Sequence, residues 1–70
     1  MAEHVFKVIE LVGTSKESVS DAIDVAVRRA AETIRNLRWF EVVSTRGDIA
    51  DGKVLHYQVT LKVGFTLDAS

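Results

Sequence analysis

The chain has 70 residues, with nine Lys or Arg against ten Asp or Glu, a net charge of −1 and no Cys. That length makes a single domain, 1–70, and the missing Cys excludes disulfides and thiolate zinc sites. A nearly neutral charge excludes the strong field that gathers nucleic acid or an anionic membrane.

Residues 4–12, HVFKVIELV, read as a strand rich in β-branched residues. One face carries Phe6, Val8 and Val12, the other Val5, Ile9 and Leu11. Both faces are apolar, so both need a cover: a helix on one side, a second subunit on the other. Gly13 ends this strand. Thr14 and Glu17 have capping-box spacing, in which a hydroxyl and a carboxylate satisfy free amides at a helix start. Val19, Ile23, Ala26, Val27, Ala30, Ile34 and Leu37 then recur at helical spacing. They predict a helix over 16–37, roughly 30 Å long.

Residues 39–48 read as a second strand, and Asp51-Gly52 within IADGK signals a turn. Residues 53–67 alternate most clearly. Leu55, Tyr57, Val59, Leu61, Val63, Phe65 and Leu67 share one face, and His56, Gln58, Thr60, Lys62, Gly64 and Thr66 share the other. The odd face is expected to pack on the helix. The order is β-α-β-β, an α+β fold. Placing the third strand between the other two, antiparallel to both, pairs every strand and wraps the sheet on one helix.

A core this small is marginal alone, because about 60% of the unfolded surface is buried at this size. With 47% hydrophobic residues and no covalent staple, the simplest reading is a homo-oligomer. No apolar run approaches the roughly 18 residues of a membrane span. MAEHVFKV has charges on each side of its apolar pair and no small-residue cleavage site, unlike a signal peptide. A cytoplasmic protein is expected.

An enzyme is hard to build from these residues. Thr14, Ser15, Ser18 and Ser20 cluster at a helix start, where hydroxyls cap. His4 and His56 have no motif partner, so no metal site is predicted. Gly13 opens no GxGxxG, and there is no P-loop. A ligand site fares better. Trp39, the single tryptophan, begins the second strand, and Gln58 lies on the polar face of the third. An indole face can stack a flat heterocycle. The Gln amide offers a donor beside an acceptor to its edge, and Arg46 can hold a phosphate. Parity opposes this, because Trp39 and Arg46 point to opposite faces of a regular strand. A bulge before Gly47 or a neighbouring subunit is needed. The competing reading buries Trp39 in an oligomer core and leaves Gln58 on a wet face.

Three stretches, VIELVGTSKES, LRWFEVVSTRG and HYQVTLKVGFTL, together resemble dodecins over about 4–67. The resemblance implies a hollow sphere of twelve β-α-β-β subunits binding flavins, FMN, riboflavin or FAD, at subunit interfaces. It implies that Trp39 stacks the isoalloxazine ring and that Gln58 bonds its pyrimidine edge. Arg46 would contact the phosphate or polar tail, and Ser44 the flavin side chain. Some bacterial members also bind coenzyme A through basic residues, for which Lys7 and Arg29 are the candidates. Two positions depart from the pattern. Arg38 stands where many relatives carry an acid, placing a cation beside the ligand. Thr66 stands where many carry Arg, which puts coenzyme A in doubt. The function implied is flavin storage and photoprotection without turnover. A flavin-dependent enzyme, a ligand-free structural shell and a coenzyme A carrier are the alternatives.

Overall fold

The structure is a computed structural model that describes residues 4–67. Its elements are β1 (Phe6–Ser15), α1 (Val19–Ala31), β2 (Leu37–Ala50) and β3 (Lys53–Thr66). The sheet order is β1-β3-β2, with β3 antiparallel to both neighbours. The expected β-α-β-β topology is therefore present, with the most regular strand at the centre. The sequence reading of the N-terminus as no signal peptide falls partly on residues 1–3, outside the described residues.

The expected packing of the odd face of β3 on the helix holds for its middle, while Leu55 and Leu67 stay 48% and 56% exposed because α1 is too short to reach them. Val59, Leu61 and Val63 are buried on the helix side, against Ala22 and Ala26. Ile9 and Leu11 of β1, with Val19, Ile23 and Val27 of α1, pack around them. Gly13 sets the spacing between helix and sheet. A Cβ at that position would overlap the Ala22 carbonyl oxygen and lie 2.9 Å from Ala26 Cβ. Small residues on both surfaces thus let α1 settle on β1.

Three boundaries differ from the sequence reading. First, β1 runs on through Gly13 to Ser15, because Thr14 and Ser15 pair with Gln58 and Tyr57. Thr14 is therefore a strand residue, and the Thr14–Glu17 capping box does not form. Ser18 is the N-cap, accepting a hydrogen bond from the Asp21 amide at 2.9 Å. Ser15 Oγ accepts from the Glu17 amide at 2.8 Å and donates to Asp21 Oδ2 at 2.7 Å. Hydroxyls do serve the helix start as expected, but the cap is Ser18, one turn beyond Thr14, with Ser15 supporting it. Asp21 also places a carboxylate in the first turn, where the helix dipole favours it.

Second, α1 ends at Ala31, not near 37. Its 13 residues give about 20 Å of helix rather than 30. The Thr33 and Ile34 amides both donate to the Ala30 carbonyl, and Asn36 adopts a φ of 66°. A left-handed Asn reverses the chain at low cost. Leu37 still reaches the core, but as the first residue of β2. Third, β2 extends to Ala50. Asp51 and Gly52 alone form the turn, with φ of 53° and 73°, and Ala50 pairs with Lys53. Two consecutive positive φ values mark a type I′ hairpin, whose twist matches the strands it joins.

The subunit is not compact. Its radius of gyration is 14.5 Å and its longest extent 56 Å, against about 11 Å expected for a globule of this length. The helix packs chiefly on β1 and β3. Phe40 and Val42, on the helix side of β2, stay 49% and 40% exposed.

Two substitutions test this packing by chemical denaturation at fixed protein concentration. Gly13→Ala forces α1 away from β1 and should cost about 1–3 kcal/mol, as overpacking does. Ser18→Ala removes the cap and should cost about 1 kcal/mol.

Candidate ligand-binding face

The face of the sheet turned away from α1 carries the candidate residues. Its composition follows from register, because directly paired residues share a face. Trp39 pairs with Gly64, Glu41 with Lys62, Ser44 with Thr60, Arg46 with Gln58 and Asp48 with His56. On the other side of β3, Phe6, Val8 and Thr14 pair with Thr66, Gly64 and Gln58. All of these lie on the helix-free side.

The parity conflict between Trp39 and Arg46 is resolved by a bulge. The register between β2 and β3 shifts between Val42 and Ser44, which pair with the consecutive residues Leu61 and Thr60. Val43 is the extra residue, and an extra residue reverses the alternation beyond it. Trp39 and Glu41 precede the bulge, Ser44 and Arg46 follow it, and all four face the same way. One of the two solutions anticipated from the sequence is therefore built into the chain, before Gly47.

Trp39 is 40% exposed, so within one subunit it is no core plug. Its indole lies across β3. A Cβ on Gly64 would overlap Cε2 and Cζ2 of the ring. The ring of Phe6, on the far strand, meets the indole nearly edge-on, with centroids 6.3 Å apart and an interplanar angle of 60°. Gly64 and Phe6 are partners the sequence did not single out. The signal was a lone glycine in an otherwise regular strand, which marks a close approach.

The remaining candidates divide into groups. Arg46, Gln58 and Ser44 lie together toward the hairpin, with Gln58 half-buried between Arg46 and Thr14. His56 Nδ1 stands 3.8 Å from Asp48 Oδ2 just beyond them. Arg38 sits in the register shift between Leu37 and Trp39. It lines a shallow cleft of about 150 Å³ with Trp39, Phe40 and Val27. Lys7 pairs with Phe65 on the helix side, and Arg29 projects from α1, 3.9 Å from Glu32. These two cations do not share the helix-free face.

Trp39 and Gln58 also do not meet within one chain. Gly64 and Gln58 are six β3 residues apart, about 20 Å of strand. A flat ligand touching both an indole and a Gln amide must take them from different copies. Among the described residues, no cluster of three or more His, Asp or Glu is arranged to hold a metal ion. No helix among them is long and apolar enough to cross a membrane.

Comparison with known proteins agrees with this architecture. A family model described as Dodecin matches residues 5–68. A dodecin from Thermus thermophilus is 52% identical over 64 residues, covering 91% of this chain and 93% of that one. The structure of dodecin from Streptomyces coelicolor aligns over all of both chains, at 51% identity and a TM-score of 0.91. Dodecin from Streptomyces davaonensis aligns with a TM-score of 0.90 at 51% identity, over 96% of this chain and 98% of its own. A match over nearly the whole length, in both sequence and fold, makes this chain a member of the dodecin family.

Proposed function

We propose that this protein binds flavin, FMN or riboflavin, between copies of itself, and that it stores the ligand and protects it from light. As a dodecin the chain is a small binding protein, and its family implies self-association. The observation that carries the reading is the bulge at Val43, which sets Trp39, Ser44, Arg46 and Gln58 on one helix-free face. A slot between copies then needs no change of chain direction. The Trp39 end of one sheet meets the Gln58 end of another.

Each residue has a chemical task. The exposed indole stacks on the isoalloxazine ring through dispersion and its π face. The Gln58 amide pairs with the alternating carbonyls and N–H groups of the pyrimidine edge. Arg46 supplies a planar cation to the phosphate or polar tail, with Ser44 beside it. Arg38, next to the indole, adds positive charge where a phosphorylated ligand gains from it. An electron-rich indole against an excited flavin opens a fast electron-transfer route, so the excited state decays before it sensitises damage. No acid–base pair is required, because nothing turns over.

Self-association follows the surface left bare. Phe6 and Val8 on the helix-free face, and Phe40 and Val42 beside the helix, are each at least 40% exposed. Closure into a dodecamer covers these faces and creates repeated slots. Coenzyme A remains the ligand to compare, through Lys7 and Arg29 on the opposite side of the sheet.

Titrating FMN or riboflavin with protein tests the reading through flavin emission. Quenching at saturation is expected, and undiminished emission at saturating protein overturns it. The native mass should be about twelve times the 7.7 kDa chain. Trp39→Ala should weaken FMN binding by about 1–3 kcal/mol, the scale of base–aromatic stacking. The same titration with coenzyme A separates the carrier alternative.

A further inference from the structure

We propose that Phe6 and Gly64 are positioning residues that hold the Trp39 indole flat and open on one side before any ligand arrives. The inference rests on the flavin reading for its use, but its geometry stands alone.

Phe6 and Trp39 belong to the two edge strands, with β3 between them. Two strand spacings separate such backbones by about 9.6 Å. They are also offset along β3, since Phe6 pairs with Thr66 and Trp39 with Gly64. Yet the two ring centroids are only 6.3 Å apart. The indole can close that gap only by lying down over the central strand. An upright indole at 39 would point away from the sheet and miss Phe6.

The path it takes is open because residue 64 has no side chain. The space a Cβ would fill on the helix-free face is occupied by the six-membered ring and lies 2.7 Å from Nε1. Gly64 is itself buried beneath the ring. The backbone of β3 is therefore the floor for one indole face. The 60° angle to Phe6 provides an edge-to-face stop at the side. With a floor and a stop, rotation about the Trp39 side-chain bonds is restricted, and the face opposite the floor points outward. A ligand that stacks there meets an ordered ring and does not spend binding energy on ordering it. Val8, paired with Gly64 from β1, is too small to replace Phe6 as an aromatic stop.

Trp39 is the only tryptophan, so every indole signal reports on this ring. Near-ultraviolet circular dichroism and time-resolved anisotropy on the ligand-free assembly should show an ordered indole without fast local rotation. Phe6→Leu should remove most of the indole dichroic signal. It should also weaken FMN binding about three- to tenfold, the scale of one aromatic pair, at unchanged native mass. Phe6→Tyr should restore both. An unchanged indole signal and FMN affinity in Phe6→Leu overturns the proposal. If that variant fails to assemble, the unsubstituted protein decides: a freely rotating indole there overturns the proposal equally. Should the unsubstituted protein ignore FMN while its indole is ordered, the flavin reading falls and the positioning role of Phe6 and Gly64 stands.

Discussion

Everything in this subunit depends on how little of the sheet one short helix can cover. Among the described residues, only Val59, Leu61 and Val63 are large, fully buried side chains. They are covered by a helix whose inward residues are mainly alanines, drawn close by Gly13. That contact is tight but small. A chain of this length ordinarily needs a further source of stability, and this one has no disulfide. The outer edges of β1 and β2, which pair with no strand among the described residues, and apolar side chains on both faces of the sheet supply surface for partner copies. On the function proposed above, a slot between copies would tie the site to assembly.

The helix-free face is graded along its length. Its aromatic end, with Trp39, Phe6 and Gly64, gives way to the charged row Glu10–Lys62–Glu41, then to Ser44 and Thr60, then to Arg46 and Gln58. A ligand with a flat apolar body and a hydrogen-bonding edge requires both kinds of end. One chain holds them about 20 Å apart, so on the function proposed above a second copy has to supply one of them. This grading also accounts for the separation of Lys7 and Arg29 from the other candidates, because neither belongs to that face.

Much of this architecture was legible in the sequence where a period was long and unbroken. The alternation of β3 showed its buried middle, Val59, Leu61 and Val63, but not its ends, where Leu55 and Leu67 of the same face are exposed while Gly64 and Thr66 of the other are buried. Asp51-Gly52 gave the turn. The end of α1 was not legible, because Ile34 and Leu37 continue the helical period although the helix ends at Ala31 and the chain reverses at Asn36. Periodicity records which residues face the core, and a residue can do so from a helix or from a strand. The cap at Ser18, one turn beyond Thr14, was hidden for a related reason. Several hydroxyls crowd residues 14–20, and only the length of β1 decides which one caps. For the site, parity alone showed that a bulge or a second subunit was required. Its location at Val43 depends on β2–β3 register, a non-local property. The contact of Trp39 with Gly64 and Phe6 was equally hidden, since it joins three strands.

The bulge makes strand length a determinant of the site in its own right. Residues before and after Val43 obey opposite parities, like two gear trains joined by a single idler tooth. Deleting Val43 itself would leave a regular strand, with Val42 and Ser44 consecutive opposite Leu61 and Thr60 and all four candidates still on one face, whereas deleting Thr45 with the bulge kept would turn Arg46 to the helix side. Among relatives of this chain, a gap at the bulge itself would therefore leave the face intact, whereas a gap elsewhere in β2 would mark a homologue whose helix-free face has been rewired.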